Sequence, residues 1–381
     1  MDGTGSGTSG ATGMKNPLNP VVAGDLAEID GSLTDAEKNK FRDSTVLVTG
    51  CAGFLGYYFL QYLVRNAISL GIQKVIGVDT FIFGRPAWMD DLIQEFPEKI
   101  DLHSFDIAKD DLEVVPGAVK ANFVVHMASI ASPTFYRQFP LETIDANIWG
   151  LRRLLDMYSD SGGLRGFLFF SSSEIYGDPA SDAIPTAEEY RGNVSCIGPR
   201  ACYDESKRFG ETICYVYAKT AATPITVARP FNNFGPGMRV GDRRLPADFA
   251  NCVLEGRDIV ILSDGTPTRT FCYVADAVSG YLKCLLHGQF EVFNIGTDKP
   301  EIMVRELAMT YQQAGMELFG YSGKVRYETS DDAEYLTDNP NRRCPMIDKA
   351  RAILQYDPRV DVEEGVRRYL AFLKHEAENR T

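Results

Sequence analysis

The sequence is poor in the features that mark several common classes. Its eight cysteines include no CxxC pair and its four histidines fall in no HxxxH spacing, so neither a zinc centre nor a redox dithiol is indicated. No window holds eighteen consecutive apolar residues, which excludes an ordinary membrane-spanning helix. Basic charge is in deficit: 39 Lys and Arg against 52 Asp and Glu leave a net charge of −13, so nucleic acid or an anionic membrane as a partner would need a local basic patch. What is present is the make-up of a folded chain, 44% hydrophobic and 24% charged over 381 residues, which excludes wholesale disorder. Several cysteines sit inside apolar runs and read as reduced, buried thiols of a cytoplasmic protein.

The chain opens with a Gly/Ser/Thr-rich stretch, 1–13, without the basic start and apolar run of a signal peptide, and reads as a disordered leader. A helical extension follows over 21–42, ending near Phe41. Then short β-rich runs at 45–49, 74–79, 102–106, 123–128, 166–171 and 225–229 alternate with helical patterns, notably 140–159 and 200–220. Such alternation predicts an α/β fold with a doubly wound parallel sheet covered on both faces. After Pro230 the rhythm loosens into loops, short strands at 258–262 and 291–294, and a charged amphipathic helix at 362–376. The expected organisation is a leader and extension over 1–42, a dinucleotide-binding Rossmann domain over 43–230, and a smaller lobe, mainly substrate-binding, over 231–381.

The first strand runs straight into Gly50-Cys51-Ala52-Gly53-Phe54-Leu55-Gly56 and an apolar helix. Glycines there permit a tight turn and close approach of backbone to a pyrophosphate seated on the helix N-terminus. The second strand ends in Asp79, about twenty residues on, where a carboxylate accepts from both ribose hydroxyls and repels a 2′-phosphate. NAD is therefore the expected cofactor. Asp106 and Ile107, closing the third strand, are placed to hold the adenine or, for the aspartate, to cap a helix.

Tyr203 and Lys207, four apart, share one face of a helix. A free phenol is too weak an acid to serve as a base at neutral pH, and a neighbouring ammonium favours the phenolate, so the pair suits removal of a hydroxyl proton while hydride leaves the same carbon. A serine run, Ser171-Ser172-Ser173, ends a strand between the glycine turn and this pair. Together these motifs resemble the extended short-chain dehydrogenase/reductase family over about 45–375, whose triad would map to Ser172, Tyr203 and Lys207.

Finer stretches, Ser172-Ser173-Glu174-Ile175-Tyr176-Gly177-Asp178-Pro179, Gly198-Pro199-Arg200 leading to Tyr203, Arg229-Pro230-Phe231-Asn232-Asn233-Phe234-Gly235-Pro236, Thr268-Arg269-Thr270-Phe271 and Arg343-Cys344-Pro345, resemble the UDP-glucuronate decarboxylases. The resemblance implies C4 oxidation of the glucuronate ring by a tightly bound NAD, loss of carbon dioxide from the 4-keto acid and reduction to UDP-xylose, with release of UDP-4-keto-xylose as a variant outcome. Ser173 stands where 4,6-dehydratases carry an acid, and Glu174 where plain 4-epimerases carry a small neutral residue. The alternatives are those two activities on another sugar nucleotide and, more distantly, a non-catalytic NAD(H)-binding regulator, which would ordinarily have lost the Tyr–Lys pair.

The same resemblance places Arg343 at the sugar carboxylate. It sets Tyr136, Arg200, Asn232, Arg239 and Arg269 around the UDP-sugar, with the 245–249 stretch flanking the uracil. Met127, Ala128 and Ser129 would line the cofactor, Asn147 would support the triad beside it, and His126 is either part of that lining or a packed strand-end side chain. Family members dimerise through two helices per subunit, here 140–159 and 200–220, as a four-helix bundle. The departures from pattern are Cys51, Tyr57-Tyr58, Asn233, Gly237 and the loop 81–85.

Overall fold

A computed structural model describes residues 18–330, 337 and 339–379, so the leader expected over 1–13 lies outside the described residues. Seven strands, β1 (Ser44–Thr49), β2 (Ile72–Asp79), β3 (Ile100–Ser104), β4 (Phe123–His126), β5 (Gly166–Phe170), β6 (Ile225–Pro230) and β7 (Glu291–Ile295), form one sheet. Their order is β7-β6-β5-β4-β1-β2-β3 and every pair is parallel. The expected doubly wound Rossmann sheet is thus observed, with the reversal of strand order between β1 and β4. Its last strand comes from well beyond Pro230, so the 231–381 segment completes the sheet as well as building loops.

Strands of such a sheet are apolar on both faces, and period-two alternation sends neighbours to opposite sides. Val46, Val48, Leu168 and Phe170 pack beneath the helices Phe54–Arg65 and Val274–His287. Leu47, Val124, Phe167 and Phe169 face Leu151–Ser159 and Ala201–Thr220 on the other side. The predicted 140–159 segment is one continuous helical run, whose middle, Asp145–Gly150, is wound as a π-helix.

The extension departs from the single helix expected to end near Phe41. It is two helices, Pro20–Ser32 and Asp35–Asn39, because Thr34 and Glu37 form a capping box that starts a new helix. Val22, Leu26 and Ile29 bury the first helix against the body of the protein. With them goes Asp25, wholly buried. Its Oδ2 accepts from the hydroxyls of Tyr58 at 2.5 Å and Tyr273 at 2.6 Å, and its Oδ1 from Arg368 Nη1 at 3.0 Å. One carboxylate so ties the extension to the helix behind the glycine turn, to the short strand Cys272–Tyr273 and to the last helix, Val362–Glu378.

Candidate active site

At the carboxyl ends of the sheet strands lies a cavity of about 1080 Å³, and the site residues singled out from the sequence line it, except Asn147, His126 and the later part of the 245–249 stretch. Nine basic side chains against six acidic ones face it, a local reversal of the chain's net charge that suits anionic ligands.

The glycine turn is a cradle that no larger residue could occupy. Gly50 has φ +70°, and a Cβ there would lie 2.7 Å from Ala128 N. A Cβ on Gly56 would lie 2.3 Å from the Cys51 carbonyl oxygen, so the helix Phe54–Arg65 packs flat on the turn. Asp79 holds the turn from the end of β2: its Oδ2 accepts from Ala52 N at 2.9 Å and its Oδ1 from Phe81 N at 2.8 Å. Ser129 Oγ is buried at this wall without a partner, a donor left for a ligand. Backbone cradle, ribose-side carboxylate and orphan hydroxyl fit a dinucleotide. Asp106 lines the cavity, and its Oδ1 accepts from Ala108 N at 3.0 Å in the turn after β3.

The unusual residues of this region compensate one another. Cys51 is buried with Sγ over Gly77, where an added Cβ would come within 2.9 Å of it. Tyr57 fills the space beside Gly237 (φ +86°), whose added Cβ would meet Tyr57 Cδ1 at 2.9 Å. Arg239 reaches across to donate to the carbonyls of Phe83 at 2.7 Å and Gly84 at 3.3 Å, so it fastens the loop after β2. Asn232, at φ +40°, donates to Thr270 O at 2.9 Å.

Tyr203 and Lys207 do share a face of Ala201–Thr220, and both are buried. The expected lowering of the phenol pKa is not what this geometry produces. Burial pushes Tyr203 up to about 12, against the pull of a hydrogen bond from Ser172 and the charge of Arg244. Lys207 is itself brought down to about 7 by burial; its Nζ donates to Phe170 O at 2.7 Å and lies 5.7 Å from the Tyr203 ring centroid. Tyr136 stacks on Tyr203 with centroids 5.0 Å apart and an interplanar angle of 11°, its hydroxyl buried and unpartnered.

Two residues stand elsewhere than the cofactor-lining set suggested. Asn147 is behind the wall, where its Nδ2 donates to Ser206 Oγ at 2.9 Å, because its helix turns that face toward Ala201–Thr220. His126 is the packed strand-end histidine, its Nδ1 2.8 Å from Thr49 Oγ1 and its ring stacked on Phe169. Of the 245–249 stretch, Leu245 and Pro246 line the cavity while Phe249 packs on Tyr311 in the core.

In the same cavity, two chain segments bring arginines onto one carboxylate. Glu174, in the Ser173–Tyr176 turn after β5, is gripped by Arg343, with Nη2 to Oε2 at 2.9 Å and Nη1 on Oε1, and by Arg200 on Oε2. Burial alone would raise this carboxyl; the guanidiniums of Arg200 and Arg343 more than offset it and hold Glu174 well below the usual carboxylate range. Arg269, brought down to about 9 by burial and by Arg343, anchors the neighbouring loop through Pro340 O at 2.5 Å and Asn341 O at 3.1 Å.

Two residues of this wall escaped the sequence reading. Arg244, paired with Asp242 and stacked over Phe54 at 5.7 Å, bears on Tyr203; the Arg243-Arg244 pair ahead of the Leu245–Leu254 helix was its signal. Asp204, next to Tyr203 and behind the lining, is buried against Arg200.

The profile of the NAD dependent epimerase/dehydratase family matches residues 46–296. The chain belongs to that family. Curated relatives of this epimerase/dehydratase-family chain include UDP-glucuronic acid decarboxylase 1 of Xenopus tropicalis, 33% identical over 345 residues, which are 91% of this chain and 75% of the relative. UDP-glucuronic acid decarboxylase 6 of Arabidopsis thaliana is 34% identical over 321 residues, 84% of this chain and 86% of the relative. Among solved structures, the fold matches UDP-glucuronic acid 4-epimerase from Bacillus cereus in complex with UDP-glucuronic acid and NAD, with TM-score 0.70, 25% identity and coverage of 87% and 99%. UDP-glucose 4-epimerase from Thermotoga maritima with UDP-glucose matches at TM-score 0.74, with the same identity and coverage.

Proposed function

We propose that this family member is a carboxy-lyase that decarboxylates UDP-glucuronate with NAD as tightly held cofactor, giving UDP-xylose, or UDP-4-keto-xylose where the final reduction does not complete. The observation that carries this is the ion pair of Glu174 with Arg343 facing Tyr203 across the cavity, with Ser173 beside it. A serine is too weak an acid to drive out the C6 hydroxyl as a dehydratase must, and carbon dioxide leaves without needing a proton. Relatives at about a third identity that bear the decarboxylase name support the same choice.

NAD, when bound, accepts hydride from C4 and supplies it again at the end. Gly50, Gly53, Phe54, Leu55 and Gly56 would hold its pyrophosphate, Asp79 a ribose, Asp106 and Ile107 the adenine, and Met127, Ala128 and Ser129 the nicotinamide side. With NAD bound, its nicotinamide ring charge and the Lys207 ammonium would offset the burial that raises Tyr203, so that Tyr203 takes the proton of the C4 hydroxyl while Ser172 hydrogen-bonds the same oxygen. In the resulting 4-keto acid the C5–C6 bond breaks, carbon dioxide departs, and the electron pair moves onto O4 as an enolate stabilised by Ser172 and Tyr203. Arg343 orients the carboxylate before this step and helps bring a proton to C5 after it. When C4 is reduced, Tyr203 returns its proton to O4. Tyr136, Arg200, Asn232, Arg239 and Arg269 position the UDP-sugar, arginine being suited to phosphate and carboxylate alike.

In this reading residues 43–230 carry the cofactor and Tyr–Lys pair, and 231–381 mainly the sugar nucleotide. A homodimer through a four-helix bundle of 140–159 and 200–220 accounts for Leu141, Trp149, Phe209, Tyr215 and Val216, large apolar side chains between 46% and 71% exposed on those two segments. Trp149→Arg with Phe209→Glu should yield monomer on gel filtration. A cytoplasmic setting fits eight cysteines that are all free thiols. Among the described residues no helix is long and apolar enough to cross a membrane.

The test is incubation with UDP-glucuronate and NAD, following carbon dioxide and the sugar nucleotide by mass spectrometry and NMR. UDP-xylose or its 4-keto form is expected; a C4-inverted uronate with its carboxylate intact would make the protein an epimerase instead.

A further inference from the structure

The head of the Ala201–Thr220 helix holds one more partner for its arginine than the arginine uses. Arg200 is bonded to Glu174 through Nη2, while its Nε lies 3.7 Å from Asp204 Oδ2, one helical turn on and just beyond hydrogen-bond reach. Arg200 Nε and Asp204 Oδ1 are both buried without a partner. Asp204 is 4% exposed and, unlike Arg200 and Glu174, stands outside the cavity lining. A buried donor and a buried acceptor left open beside each other are costly unless another state of the site joins them.

We infer that Arg200 has two stations, one on Glu174 and one on Asp204, and that Asp204 is a positioning residue which, by drawing Arg200 off, frees Glu174 to carry a proton beside the sugar. This deepens the decarboxylase reading and rests on it. The electrostatics follow. With Arg200 and Arg343 both on Glu174, that carboxyl is held too acidic to carry a proton near neutrality. Asp204 is pushed up to about 7 by desolvation and by the charge of Glu174, which outweigh the pull of Arg200 and Arg343. The groups that face it are Glu174 from the turn after β5, Arg343 from the Arg342–Arg343 strand, Tyr136 from Pro133–Gln138, and Arg200 and Tyr203 from its own segment. Just below neutrality the two carboxylates thus share one proton, exchanged with solvent. It resides on Asp204 while Arg200 sits on Glu174, and on Glu174 when Arg200 closes on Asp204. A uronate carboxylate entering beside Arg343 loosens the second grip on Glu174, so the shift of Arg200 decides when Glu174 titrates.

The test is the NAD-loaded Asp204→Asn protein, isosteric but without the charge, with Asp204→Glu as the conservative control. The pH dependence of kcat for carbon dioxide release should lose, or move by at least about one unit, its limb near neutrality. The value of kcat at its optimum should fall about tenfold with KM for UDP-glucuronate nearly unchanged, and Asp204→Glu should restore the limb. A wild-type pH profile in Asp204→Asn, whatever the drop in kcat, overturns the inference. Carboxyl ¹³C NMR of the NAD-loaded wild type supplies a readout independent of turnover: a carboxyl titrating near pH 7 that vanishes in Asp204→Asn supports the switch, and its absence refutes it. Wild-type protein that releases no carbon dioxide would sink the decarboxylase reading, a result distinct from either of these.

Discussion

Two carboxylates are taken out of water with arginine beside them, Asp25 under the N-terminal helix and Glu174 in the cavity wall. Asp25 is met by two tyrosine hydroxyls and Arg368, whose other nitrogens are taken by Glu28 and Glu364. Its surroundings are complete and lie among packed helices, and burial raises its pKa despite those donors. Glu174 has the stronger cationic company and is held low, yet around it Arg200 Nε, Arg343 Nε and Asp204 Oδ1 remain unpartnered and a cavity opens in front. A saturated buried charge fixes elements to one another. One with bonding capacity left over is prepared for something that arrives.

Substitutions can break that comparison. The largest effect is expected from Glu174→Gln, with carbon dioxide release per folded molecule falling on the order of 10²–10³-fold, and with some loss of stability because Arg200 and Arg343 keep their charge without its counterpart. Asp25→Asn should leave kcat unchanged per folded molecule, and equal activity losses in the two variants would end the distinction. Asp25→Ala should lower unfolding stability by about 3 kcal/mol in urea titrations, because it strands one arm of Arg368 and two buried hydroxyls. Tyr273→Phe, which removes one donor and nothing else, should cost about 1–2 kcal/mol by the same measurement. The smallest effect is the most pointed, because the two carboxyls are shifted in opposite directions. Glu174, lowered on folding, contributes stability that is present above its unfolded value and is lost as pH falls. Asp25, raised on folding, contributes stability that is full at low pH and is lost as pH rises through its folded value. Stability measured between about pH 3 and 6 should therefore lose opposite slopes in Glu174→Gln and Asp25→Asn relative to the parent.

Most of the sheet was legible in the sequence because short β-rich apolar runs bounded by turns report strands directly, and six runs fell on β1 to β6 within a few residues. The glycine turn, Asp79 and the Tyr203–Lys207 spacing were legible for the same reason: each is a short-range geometric demand. Resemblance set Arg200, Arg269 and Arg343 around the substrate, but the closing of Arg200 and Arg343 on Glu174 was not legible, since no local pattern says which distant loops meet. The protonation states were misjudged, because spacing reports the nearness of Lys207 but not the loss of solvent around it and Tyr203. Asp25 was missed although a signal existed. It falls three residues after Val22 and one before Leu26, on the apolar face of its helix, where a charge is out of place unless partnered.

The docking of the extension also constrains how the chain reaches its final form. Asn19 bonds to the carbonyl of Phe372, 353 residues away, and Asp25 to Arg368, 343 residues away. The seat of the first described helix, built mainly by Val274–His287, is therefore completed only when the last helix exists, and β7, which edges the sheet, is also late in the chain. During synthesis the N-terminal helix must wait with its apolar face uncovered, and loop closure over nearly the whole chain comes last. A chain stopped before Val362–Glu378 is thus no shorter version of the enzyme; it lacks part of the surface on which its own beginning folds, including the partner Arg368 of Asp25.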